Sequence, residues 1–268
     1  MGRKPLSIDK LAMDLVLTDD IAGKKGLSKK IFGLAYKKGI YPSSIHDLYM
    51  AVGRGEVGGF TPAPIGQANQ SVEQLVRGFT VPAINLRSMT YDLARAIFRT
   101  ALKNNSGAFI FEIAKSEMGY TAQPPVEFTG VILAAAIREG WQGPVFIQAD
   151  HTQVNAKKFQ EDQNKELKAL EDIISDAISC GFYNIDIDSS TLVDLSKPDI
   201  KKQQKFNYEV CAKLTQLIRR IEPKGITVSV GGEIGEVGHQ NSTPEDLRAF
   251  MEGYKERLRK GLVGISKI

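Results

Sequence analysis

Apolar positions along this chain follow two regimes. Across residues 1–78 they recur at helical spacing, over 7–17 and again over 27–36. They then give way to Gly53, Gly55, Gly58, Gly59 and the Pro62/Pro64 pair. Glycine and proline at that density mark an irregular connection. Residues 1–78 are therefore expected to form a helical N-terminal extension and connector. From Phe79 onward, short apolar runs alternate with longer amphipathic segments. Strands are predicted at 80–86, 108–113, 145–149, 183–187, 226–230 and 264–268. The intervening helices are predicted at 91–103, 126–138, 164–179, 201–221 and from Thr243 onward. Leu93, Ile97 and Ala101 mark the buried face of the first of these, and Val210, Leu214, Leu217 and Ile221 that of the fourth. Gly140 ends the second helix, and Gly181 stands where a left-handed C-terminal cap belongs. Thr243 and Pro244 have the chemistry of an N-cap and a first helical position.

Repeated strand–helix units imply a parallel sheet, and residues 79–268 are read as one such domain. Periodicity does not separate a barrel from an open, doubly wound sheet. The polar residues do point to an enzyme, because they follow the strands: Asp150 and His151, Asp188 to Ser190, and Glu233 to His239. Both architectures place catalytic groups at that end of the strands.

Composition changes this picture little. The formal charge of +4 comes from 35 basic and 31 acidic residues. Much of the excess sits in runs such as Lys24-Lys25, Lys29-Lys30 and Lys201-Lys202, expected to be solvated faces. No stacking-aromatic or zinc-finger pattern accompanies them, so no nucleic-acid partner is expected. No apolar run approaches the ~20 residues of a membrane span, and no secretory signal follows the basic start. With only Cys180 and Cys211, a disulfide framework is not supported, and a cytoplasmic setting is expected. Both cysteines are expected to be core residues.

Three segments carry candidate chemistry. Asp150-His151 ends an apolar strand. The pair can simply cap it, or it can supply a metal ligand beside a general base, since neutral imidazole is the commonest protein metal ligand. Asp186 and Asp188 stand two apart, hence on one strand face. Buried there, they require partners, whether in a structural ion pair or in catalysis. The run 230–239 sets four glycines among Glu233, Glu236 and His239 and does not fit a dinucleotide fingerprint.

Taken in order, 144–151, Ile187-Asp188-Ser189-Ser190 and Gly232-Glu233-Ile234-Gly235 resemble strand ends of the class II, metal-dependent fructose- and tagatose-bisphosphate aldolases. Pro82-Ala83-Ile84-Asn85 resembles the first barrel strand of that family. The resemblance spans about 79–268. It implies a (β/α)8 barrel, incomplete here at about six strands, that carries the N-terminal helical extension. It implies a Zn2+ ion, or another divalent metal, that polarises a ketose carbonyl. By position, His151 and Glu233 would be at the metal and Asp150 would shuttle the proton of the C4 hydroxyl. Asn85, Asp188 and Ser190 would shape the substrate pocket. The family's acidic loop is replaced by Gln240-Asn241, with Glu236, or in its place His239, as the catalytic substitute. Two more metal-binding histidines and the phosphate-gripping glycine loops of the family would lie beyond Ile268. The sequence is thus expected to be a partial record of a longer enzyme. The activity implied is reversible cleavage of a ketose (bis)phosphate to dihydroxyacetone phosphate and an aldehyde, in a cytoplasmic homo-oligomer of carbohydrate metabolism. The rival reading is a non-catalytic accessory barrel subunit of a tagatose-bisphosphate aldolase.

Overall fold

A computed structural model describes residues 7–53, 81–235 and 241–268. The chain divides into two units, Met1–Gln148 with Cys180–Phe182, and Ala149–Ser179 with Tyr183–Ile268. Each is an α/β assembly, and the strand pairings of 40–43 with 143–146, 83–85 with 110–112 and 184–187 with 229–232 are all parallel.

In the first unit, α1 (Ile8–Leu17) starts at Ser7, whose hydroxyl accepts the Lys10 amide. Helix α2 (Ile21–Lys37) starts six residues before the predicted span. Asp20 caps it at the Gly23 amide, while Gly23 and Gly26 blur its apolar period. Strand β1 (Ile40–Ser43) then pairs with β4, Ile40 opposite Gly143. It has no counterpart in the predicted strands, because Pro42 argues against a strand within so short a run. After α3 (Ile45–Gly53) come β2 (Ala83–Asn85), α4 (Thr90–Lys103), β3 (Ile110–Ala114), α5 (Lys115–Tyr120) and α6 (Pro125–Glu139). Strand β4 (Gly143–Gln153) follows and contributes its first six residues to this unit.

Helix α6 is buried from Pro125 through Ala136, as a helix apolar on every side must be. Helices α1, α2 and α4 cover it. A side chain at Gly130 would meet Leu15 Cδ2 at 2.4 Å and Ser28 Oγ at 3.1 Å, so glycine permits that approach. Lys24, expected on a solvated face, is instead only 7% exposed. It pairs with Glu127 and donates to the Leu15 carbonyl at 3.1 Å, closing the last turn of α1. The predicted face of α4 is also corrected. Ala94, Phe98 and Ala101 are buried, while Leu93 is 42% exposed. The period is right and Ala101 lies inward as predicted, but the face is shifted by one residue at Leu93 and Ile97. Phe98 sets the phase by packing at 5.1–5.7 Å on Phe109, Phe111 and Trp141.

The second unit takes the end of β4, then α7 (Ala156–Glu161), α8 (Gln163–Ser179), β5 (Asn184–Asp188) and a 3-10 turn at Ser190–Leu192. Helices α9 (Ile200–Gln203) and α10 (Lys205–Ile221) replace the single helix predicted there. Strand β6 (Ser229–Gly232) and α11 (Pro244–Arg257) complete the unit, with the capping box at Thr243 and Asp246. The predicted sixth strand reduces to one bridge, Gly231 with Lys267. Backbone bonds from Ser266 to Val230 at 2.7 Å and from Gly232 to Lys267 at 3.2 Å hold that segment on β6, and Arg219 ties down the chain just before it. The Arg219 side chain is 3% exposed and donates to the carbonyls of Val263 and Val228, both at 2.8 Å, and to Glu222 at 2.6 Å. Removing one partner of such a buried pair leaves the other desolvated. Arg219→Met should therefore lower unfolding stability by about 3–5 kcal/mol. Val263→Ala on the same segment should change it by less than ~0.5 kcal/mol. Urea unfolding of the two variants distinguishes these outcomes.

Candidate functional site

Within the second unit, His151 is the hub of a carboxylate cluster. Its backbone takes φ +41°, a left-handed conformation that costs a non-glycine residue about 1–3 kcal/mol. Beyond it, exposed and buried residues alternate, with Thr152 and Val154 inward, so β4 runs on to Gln153 where the sequence reading stopped at Ala149. The imidazole Nδ1 lies 3.3 Å from Glu233 Oε1 and 3.5 Å from Asp188 Oδ2, and Nε2 lies 3.8 Å from Asp150 Oδ2. Two overlapping groups, Asp150/His151/Asp186 and His151/Asp188/Glu233, each keep their donor atoms within 4.8 Å of one another.

Asp188 is the fixed member. It is 1% exposed, its Oδ2 accepts from Gln153 Nε2 at 2.6 Å, and its Oδ1 accepts from the Ser190 hydroxyl at 2.7 Å. Ser190 is thus engaged with Asp188. The carboxylate of Asp186 lies over Gly231, where an added Cβ would stand 2.0 Å from its Oδ1 and 2.9 Å from Lys267 Cε. Burial pushes the Asp186 carboxyl up and Lys267 opposes the shift. Burial also raises Glu233, reinforced by Asp188 and Asp186, to about 7. Burial alone would lower His151, but Asp150, Glu233, Asp188 and Asp186 outweigh it and raise its pKa.

The donor set fits a divalent cation. Ligand atoms held ~2.0–2.2 Å from a tetrahedral ion stand about 3.3–3.6 Å apart, and the two distances from Nδ1 fall in or near that range. The imidazole side chain is 53% exposed, which leaves the position open to solvent. A proton on Nδ1 answers the same negative field, so cation and proton compete for one atom.

Asn85 belongs to the first unit. Its Nδ2 donates to Glu117 Oε2 at 2.8 Å, and Arg87 Nε bonds both Asn85 and Glu117. Burial pushes the Glu117 carboxyl up. The Ala114 amide, Asn85 and Arg87 outweigh this and hold it below the usual carboxylate range. Glu236 and His239 lie outside the described residues. Gln153 and Lys267 were not singled out from the sequence, and Gly231 only as one of four glycines in 230–239. The alternation past His151 could have found Gln153, whereas Gly231 and Lys267 acquire meaning only through strand pairing. Cys211 is fully buried and its thiol is pushed up by desolvation, consistent with a core residue.

No protein-family model matches the chain, and no curated protein matches it. Among solved structures, a probable tagatose 6 phosphate kinase from Sinorhizobium meliloti 1021 is similar over 67% of this chain, at 15% identity and a TM-score of 0.47. The chain spans 45% of that protein's length. Likeness at this level supports no inference about activity. Among the described residues, no helix is long and apolar enough to cross a membrane.

The raised pKa values carry a sign. Glu233 and His151 both hold protons more tightly when folded, so their contribution to stability is full at low pH. It is lost as pH rises through the folded values, near 7 for Glu233. In chelator, the urea midpoint of Glu233→Gln relative to wild type should rise between pH ~5 and ~8. An offset independent of pH would show that Glu233 titrates normally.

Proposed function

We propose that this chain is the metal-binding part of a lyase similar to the class II aldolases, which cleaves a ketose (bis)phosphate to dihydroxyacetone phosphate and an aldehyde. The barrel architecture implied by the resemblance belongs to the same proposal. The observation that carries it is the convergence of His151 Nδ1, Asp188 Oδ2 and Glu233 Oε1 within 4.8 Å, with Asp150 alongside. These groups come from the ends of three successive strands, as the ordered motifs of the sequence require.

His151, Asp188 and Glu233 are the residues that would hold Zn2+ or another divalent ion. When bound, such an ion supplies Lewis acidity at the substrate carbonyl. Gln153 and Ser190 keep Asp188 oriented, so one carboxylate is preorganised while Glu233, a third exposed, can adjust. Asp150 takes the proton from the C4 hydroxyl as the C3–C4 bond breaks and returns it in the reverse reaction. Its Oδ2 stands 3.8 Å from His151 Nε2, beside the atoms that would hold the ion.

The test is ion content and dihydroxyacetone phosphate release by the full chain, with and without chelator. Chelation should abolish release, and zinc should restore it. His151→Ala should lose the ion. Asp150→Ala should keep the ion and lose about 10²–10⁴-fold in turnover. Cleavage that persists in chelator, or that survives both substitutions, would sink the proposal.

A further inference from the structure

Glu233 stands one residue beyond β6, yet its carboxylate must meet His151. Its main chain is held from α10. Asn207, fully buried, donates Nδ2 to the Glu233 carbonyl at 2.7 Å and to Gln204 Oε1 at 3.0 Å. Gln204, 1% exposed, donates Nε2 to the Ile234 carbonyl at 2.5 Å. On its other side, Asn207 Oδ1 accepts from the hydroxyl of Ser189 at 2.7 Å. Ser189 lies between Asp188 and Ser190, so one amide touches the ends of both β5 and β6.

A carboxamide has two N–H donors and one acceptor oxygen, and Asn207 uses all of them. This fixes its orientation. A flipped amide would set oxygen against the Glu233 carbonyl and the Gln204 oxygen. Three buried polar side chains are costly unless each is bonded, and apolar residues could fill the same volume. What apolar residues could not supply is a directed hold on the main chain at Glu233. We infer that Asn207, with Gln204, is a positioning pair that holds the Glu233 main chain where its carboxylate meets His151 and so tunes cation binding there. Its functional half rests on the metal-site reading above.

Asn207→Asp keeps the shape and replaces both N–H donors by an acceptor facing the Glu233 carbonyl. Two readouts on the full chain separate a hold on Glu233 from general support of the fold. The first is hydrogen–deuterium exchange without metal. Residues 230–235 should exchange about tenfold faster, while 210–218 in α10 stay at the wild-type rate. The second is titration with Co2+, followed by its visible ligand-field absorption. The Kd should weaken about 10–100-fold with an altered spectrum, the effect expected of groups that orient ligands. Ser189→Ala spares both N–H bonds and should stay within about threefold of wild type in both readouts. Gln204→Met covers the case in which Asn207→Asp does not fold, and should move both in the same direction as that variant. Exchange at 230–235 that stays at the wild-type rate in a folded variant overturns the inference. So does faster exchange with unchanged Co2+ affinity and spectrum. A wild-type chain that binds no Co2+ overturns the metal-site reading instead, and the exchange result alone then decides whether Asn207 holds Glu233.

Discussion

Four carboxylates gathered about one imidazole make a concentration of like charge that the second unit must stabilise. Asp150, Asp186, Asp188 and Glu233 all raise the proton affinity of His151, and Glu233 is itself pushed toward neutrality by burial and by its neighbours. Such a cluster is stable only with positive charge or directed donors at hand. Gln153 and Ser190 supply donors to Asp188, Lys267 supplies positive charge beside Asp186, and His151 can supply a proton. A bound cation would answer the remaining demand at Nδ1. Geometry at the site follows from this need for compensation more than from apolar packing.

Strand pairing is what makes the crowding possible. The register places Asp186 opposite Gly231, the one residue type that leaves room for its carboxylate, and Gly231 in turn bridges Lys267. Arg219 then ties the segment that carries Lys267 to the carbonyl of Val228 at the foot of β6. Asn207 and Gln204 act at the other end of that strand. Charge is concentrated where the main chain is held from several directions, so the repulsion is resisted by fixed backbone bonds.

The first unit obeys a different balance. Its centre is a helix with no polar face over most of its length, and the helices around it approach closely at Gly130. Two of the charges buried there, Lys24 and Glu127, are paired with each other, and the pair is extended through Gln123 to Thr90. That arrangement joins α1, α2, α4 and α6.

Most helices were legible in the sequence because their boundaries are local chemistry. Ser7, Thr243 with Pro244, Gly140 and Gly181 act within a few residues of themselves, and each stands at the boundary its chemistry predicts. Candidate chemistry at Asp150, His151, Asp188 and Glu233 was legible too, since charged residues directly after apolar runs have few structural uses. The sequence could not decide which side of α4 faces inward, because Leu93 and Phe98 both offer an apolar stripe and only the partner rings select one. Nor could it reveal strand β1, the burial of Lys24, or the bonds from Asn207 to Glu233. Those depend on residues distant along the chain, whose pairing is an outcome of the fold and leaves no local pattern to read.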